Sequence, residues 1–172
     1  ASDRQSIVIV DTGCANLSSV KFAVERLGFE ADITDNIEQI QAADKVIFPG
    51  VGSAKHAMNN IQKKGLVETL QGLTQPVLGF CLGMQLMTNS SVEGLSTLAE
   101  NNEKIDCLGL IPTEVLPLQA QGLRLPHMGW NTLKNVSNHP ILAGVKGGDY
   151  VYFVHSYGAP VSQYTQASCQ YG

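Results

Sequence analysis

Short β-branched runs alternate with amphipathic stretches through the first half of the chain. Ile7-Val8-Ile9-Val10 reads as a buried parallel strand, ended by Asp11-Thr12-Gly13. Asn16 stands where an N-cap belongs. Leu17, Val20, Val24 and Leu27 then share one helical face, and Gly28 marks the stop. Residues 30–34 predict a second strand and residues 37–43 a short helix. Residues 45–48 predict a third strand, closed by Pro49-Gly50-Val51-Gly52. Residues 54–64 predict a helix with Ala54, Ala57, Met58 and Ile61 on one side, and residues 66–73 a further helix after Gly65. Residues 76–80 predict a fourth strand and residues 82–88 the start of the next helix.

Alternating strands and helices imply an α/β fold with a mostly parallel sheet and right-handed crossovers. Ligands of such sheets sit at the carboxyl ends of the strands. Asp11-Thr12-Gly13, Pro49-Gly50-Val51-Gly52 and Cys81 all fall at such ends. The second half has a different pattern. Residues 89–102 are polar and read as a loop or a frayed helix end. Residues 108–116 and 150–154 read as strands, 123–131 and 146–149 as loops, and 166–170 as the start of another strand. Strands with little helix between them imply an antiparallel extension.

Gly79-Phe80-Cys81-Leu82-Gly83 adds chemistry to this pattern. A cysteine between two glycines at a strand-to-helix junction is pushed out of the sheet on a sharp turn, as a nucleophile must be. The helix start offers unpaired N–H groups that favour a thiolate. Cys81 is therefore the candidate nucleophile; the competing reading is a buried cysteine packed as a small hydrophobe. Attack on a carbonyl needs oxyanion donors. The backbone N–H of Leu82 and the Gly50-Val51-Gly52 loop are the candidates.

Composition narrows the field. The chain has 172 residues, a net charge of −4 and no basic footprint for nucleic acid. No apolar run is long enough to cross a membrane. Four cysteines, Cys14, Cys81, Cys107 and Cys169, are widely spaced without a CxxC pair. That argues against a zinc site or disulfide scaffold and suits a reducing cytoplasm.

Pro49-Gly50-Val51-Gly52, Gly79-Phe80-Cys81-Leu82-Gly83-Met84-Gln85 and Val154-His155-Ser156-Tyr157 resemble class I glutamine amidotransferase domains, in this order. The block 11–17, Pro126-His127-Met128-Gly129-Trp130-Asn131 and Tyr152-Phe153-Val154-His155-Ser156-Tyr157 resemble the glutaminase subunits of imidazole glycerol phosphate synthases. The resemblance implies a flavodoxin-like α/β domain over residues 1–172. It implies hydrolysis of L-glutamine through a γ-glutamyl thioester on Cys81, and delivery of ammonia to a cyclase subunit in histidine biosynthesis. It calls for no cofactor and no metal. By matching positions, Gln85 and the backbone at Ser156 and Tyr157 hold glutamine, and Asn16 and Trp130 lie near the cyclase. Gln85 also reads as a surface polar residue, and Trp130 as ordinary half-buried packing.

A nucleophilic cysteine needs a base oriented by a third group. The family takes both from a His-Pro-Glu segment near its C-terminus, and this sequence contains none. His56, His127, His139 and His155 lie elsewhere. The expectation is a domain truncated at its C-terminus, without efficient glutaminase activity and with an exposed strand edge. Alternatives are another class I amidotransferase, a γ-glutamyl hydrolase, or a non-catalytic relative with an inert Cys81. The Pro-His-Met-Gly-Trp-Asn block speaks against the first two.

Overall fold

The computed structural model describes residues 4–13, 16–93, 95 and 103–172. They cluster into two compact units, Ala1–Glu114 and Val115–Gly172, described in turn.

In the first unit, β1 (Ile7–Val10) leads through α1 (Leu17–Arg26) to β2 (Ala31–Thr34). α2 (Ile37–Ala42) then leads to β3 (Lys45–Gly50), and α3 (Ala54–Lys63) and α4 (Val67–Gln71) lead to β4 (Val77–Cys81). The sheet order is β2-β1-β3-β4, and every pairing is parallel. After β2 the chain crosses to the far side of β1, so the order reverses between β1 and β3. That reversal opens a crevice at the carboxyl ends. Val8 and Val10 of β1 and Val46 and Phe48 of β3 bury one face against Ile40, Met58, Ile61, Leu66, Leu82 and Leu86. β2 and β4 are the edges of this sheet, and on β4 Leu78 and Phe80 are exposed.

The helix caps are mixed. Asn36 Oδ1 accepts from Gln39 N at 2.9 Å, and Ser53 Oγ accepts from His56 N at 3.2 Å. Asn16 does not cap α1. It sits in the left-handed region at φ 72°, and its Oδ1 instead accepts from Ser19 Oγ at 2.5 Å. A left-handed residue aims its side chain away from the amides an N-cap must reach. Leu27, expected on the apolar face of α1, is 76% exposed.

After β4, α5 (Leu82–Leu86) is shorter than the sequence suggests, and β5 (Thr88–Ser91) follows directly. The polar run from residue 89 reads as a loop, yet its first residues form this strand. β5 pairs antiparallel with β6 (Ile105–Asp106). Hydroxyls make the burial of this strand possible. Thr88 Oγ1 donates to Gln85 O at 2.6 Å and Ser90 Oγ to Glu114 Oε1 at 3.3 Å. The rest of that expected loop, at residues 94 and 96–102, lies outside the described residues, as do Cys14 and Ala15. The strand expected from residue 108 begins later, as β7 (Ile111–Pro117), because Gly109 turns at φ 70°.

In the second unit, the end of β7 pairs antiparallel with β10 (Tyr157–Gly158). β8 (His127–Thr132) pairs antiparallel with β9 (Tyr150–His155) over its full length. β8 corrects the loop expected over residues 123–131. Its inward positions are His127 and Asn131, so the buried face is polar and the usual apolar alternation is hidden. The strand expected over residues 166–170 is reduced to one bridge, Lys134 with Ser168.

Candidate active site

Cys81 ends β4 and immediately precedes α5. Its backbone lies at φ 53°, ψ −124°, a region L-residues rarely occupy, and its side chain is exposed. Such strain persists only when the surroundings impose it. Here the flanking glycines permit the close packing that imposes it. A Cβ at Gly79 would lie 2.7 Å from Met84 Cα. One at Gly83 would lie 1.8 Å from Phe48 O. Only glycine lets α5 turn back this tightly against β3, and that turn lifts Cys81 out of the sheet.

Parallel pairing of β3 with β4 sets Gly50 opposite Cys81. A Cβ at Gly50 would meet Gly83 N at 3.0 Å and Leu82 Cβ at 3.2 Å. The candidate oxyanion residues Gly50 and Leu82 thus pack together beside the nucleophile. Val51 is exposed, and Gly52 turns at φ 100° before Ser53 caps α3.

Gln85 is buried within α5, which removes the surface reading of this residue. Among the described residues, its Oε1 and the Oγ1 of Thr12 are buried side-chain polar atoms without a hydrogen-bond partner. Thr12 is not singled out by sequence, since one threonine after a strand carries no signal until its burial is known. An unmet buried acceptor costs roughly 1–3 kcal/mol, so such an atom is a natural receiver for a ligand N–H. Lys64 is also missed by sequence. Its Nζ donates to Asp35 Oδ2 at 2.8 Å and Asp11 O at 3.2 Å. The Lys64 ammonium holds the Asp35 carboxyl below its ordinary range, first by hydrogen bond and then by charge.

The remaining candidates lie in the second unit. Ser156 O accepts from Leu118 N at 2.9 Å, and Tyr157 O faces His155 Nδ1 at 2.9 Å. Trp130 is 69% exposed and meets Tyr152 edge-on, with ring centroids 5.5 Å apart. The half-buried reading of Trp130 therefore does not hold. His127 and His155 hydrogen-bond each other, His56 is exposed on α3, and His139 caps a 3-10 turn. A cavity of about 560 Å³ lies at the other end of the sheet, around Arg4, Ser6, Phe29 and Asp32. Among the described residues no cluster of three or more His, Cys, Asp or Glu is set to hold a metal ion.

Comparison with known proteins bears on this geometry. The family description "Glutamine amidotransferase class-I" matches residues 8–168. The imidazole glycerol phosphate synthase subunit HisH of Colwellia psychrerythraea is 70% identical over 171 residues, covering 96% of this chain and 76% of that protein. The protein of the same name from Shewanella oneidensis is 56% identical, covering 99% of this chain and 81% of that protein. A solved structure described as a glutamine amidotransferase shares the fold. Its TM-score is 0.61 at 17% identity, covering 86% of this chain and 70% of that one.

Proposed function

Because this chain belongs to the class I glutamine amidotransferases, in the family of HisH subunits of imidazole glycerol phosphate synthase, we propose that Cys81 is its glutaminase nucleophile. The observation that carries the reading is the pairing of Gly50 with Cys81, which puts a glycine loop beside a strained, exposed thiol. Sulfur attacks the side-chain carbonyl carbon of glutamine. Amides at Leu82 and in the Gly50-Val51-Gly52 loop receive the developing oxyanion. The C–N bond breaks, nitrogen takes a proton and leaves as ammonia, and water cleaves the thioester to glutamate and free thiol. The orphaned Gln85 Oε1 accepts a hydrogen bond from glutamine.

The ammonia passes to a cyclase subunit, which Asn16 and Trp130 help to dock, and the reaction takes place in the cytoplasm. The proton donor and base belong to the family's His-Pro-Glu segment. The sequence holds no such segment, so a polypeptide of these residues alone turns over glutamine poorly. A diazo-oxo-norleucine electrophile tests the assignment. One adduct on Cys81, lost in Cys81→Ser, supports it. Labelling elsewhere, or none in the complete glutaminase with its cyclase, overturns it and leaves a non-catalytic relative of the fold.

A further inference from the structure

Helix α3 lies along the carboxyl rim of the parallel sheet. It begins at the end of β3, where Ser53 caps it directly after the Gly50-Val51-Gly52 loop. Further along, Asn60 comes against the end of β1. A Cβ at Gly13 would meet Asn60 Nδ2 at 3.1 Å. At the far end, Lys64 reaches the end of β2. Its Nζ donates to Asp35 Oδ2 at 2.8 Å, just past β2, and to Asp11 O at 3.2 Å, just past β1. The Asp11 carboxylate stands 3.9 Å away and also accepts from Gly13 N at 2.8 Å. The contacts therefore run β3, β1, β2, which is the order of the strands.

Dimensions agree with this placement. A ten-residue helix is about 15 Å long, and stepping across two strand spacings takes about 10 Å. Ala54, Ala57, Met58 and Ile61 bury the underside of the helix. Those apolar contacts seat the helix on the sheet, and the polar contacts at its ends add directional restraint. The two ends set the direction of the bar: the oxyanion loop at one and the Lys64 anchor at the other.

We propose that Lys64 is a positioning residue for glutamine hydrolysis, anchoring the far end of α3 so that its near end holds Gly50-Val51-Gly52 beside Cys81. The proposal rests on the glutaminase reading above. Lys64 bonds Asp35 and Asp11, and these partly exposed ion pairs add little to global stability. Its effect is geometric: a small misplacement of oxyanion donors lowers the rate without weakening ground-state binding.

The test uses the full natural chain in its complex with the cyclase subunit. Lys64→Met lowers kcat roughly tenfold and leaves KM for glutamine within about twofold. The final fraction of Cys81 labelled by diazo-oxo-norleucine is unchanged, and amide exchange at Val51 and Gly52 is faster. Lys64→Arg, which keeps both hydrogen bonds, restores kcat to within about twofold. Unchanged kcat overturns the proposal. So does a loss of kcat that tracks a loss of labelled Cys81, or a failure of Lys64→Arg to restore the rate. Should Lys64→Met not fold, Asp35→Asn weakens the same anchor and lowers kcat about threefold at constant KM; no change there overturns the proposal. A wild-type complex that hydrolyses no glutamine refutes the glutaminase reading instead. Exchange at Val51 and Gly52 then decides: faster in the variant supports the anchor, and equal rates overturn it.

Discussion

His127 and His155 face each other across β8 and β9, and His127 Nδ1 lies 2.9 Å from His155 Nε2 in a hydrogen bond. Their neighbours fix the tautomers. Tyr157 O can only accept, so His155 Nδ1 carries the proton and its Nε2 is an acceptor. His127 Nδ1 must then donate. Its Nε2 accepts from Asn131 Nδ2 at 3.3 Å, and that amide also donates to Gln170 O. Phe153 and Tyr171 stack on the His127 ring. A proton added to either ring sets two donors against each other.

This pair makes the second unit acid-sensitive. Burial, and then the nearby His155, lower the affinity of His127 for a proton below its ordinary value of 6.5. The unfolded chain binds that proton first, so the stabilisation is complete above about pH 6.5 and is lost progressively as pH falls toward the lower folded value. NMR titration should show the His127 ring keeping its neutral form to lower pH than an ordinary histidine does. A His127 titrating at its ordinary value would refute the network.

Glycine at position 83 is required by packing. In Gly83→Ala the new methyl meets Phe48 O at 1.8 Å, so α5 or β3 must move. A loss of about 3 kcal/mol is expected in thermal or denaturant melts. A variant as stable as wild type would mean that α5 is less closely seated than described.

Thiol reactivity should follow exposure. Cys81 is exposed. Burial pushes the Cys107 thiol up to about 11 and also raises that of Cys169. Iodoacetamide at pH 8 should modify Cys81 well before Cys107 and Cys169, as read by peptide mass spectrometry. Faster reaction at Cys107 would contradict its burial.

Ser53 caps the helix that starts beside the Gly50-Val51-Gly52 loop. Ser53→Ala should cost about 1 kcal/mol, and amide exchange should rise first at the start of α3. An unchanged melting curve would show that the cap bond contributes nothing measurable.

Trp130 and Tyr152 form a largely exposed aromatic pair. Trp130→Ala should shift the fold's stability by less than about 0.5 kcal/mol yet weaken association with the cyclase by about tenfold or more. Calorimetric titration of one partner into the other measures the affinity directly. Unaltered affinity would refute the proposed docking role of Trp130.

The parallel sheet is legible because its signals are local. Ile7-Val8-Ile9-Val10 and Lys45-Val46-Ile47-Phe48 are apolar runs of strand length, and the apolar spacing of residues 54–61 has one helical period. Where polar residues take the buried side, the same logic fails. β5 hides Thr88, Ser90 and Ser91, and β8 hides His127. Their burial depends on partners elsewhere in the chain, which periodicity does not register. Asn16 fails for a backbone reason: residue type favours a cap, but its positive φ turns the side chain elsewhere.

By itself, then, the sequence determined the strand-to-helix turn that exposes Cys81, the glycines that permit it, and the family to which those motifs point. Tertiary structure alone decided what stands beside them. Gly50 meets Cys81 through strand register, His127 meets His155 across 28 residues, and Lys64 reaches Asp11 across 53. A turn is dictated by the steric limits of adjacent residues. A contact between distant residues is dictated by which surfaces can be buried together, and that is a property of the whole packed unit.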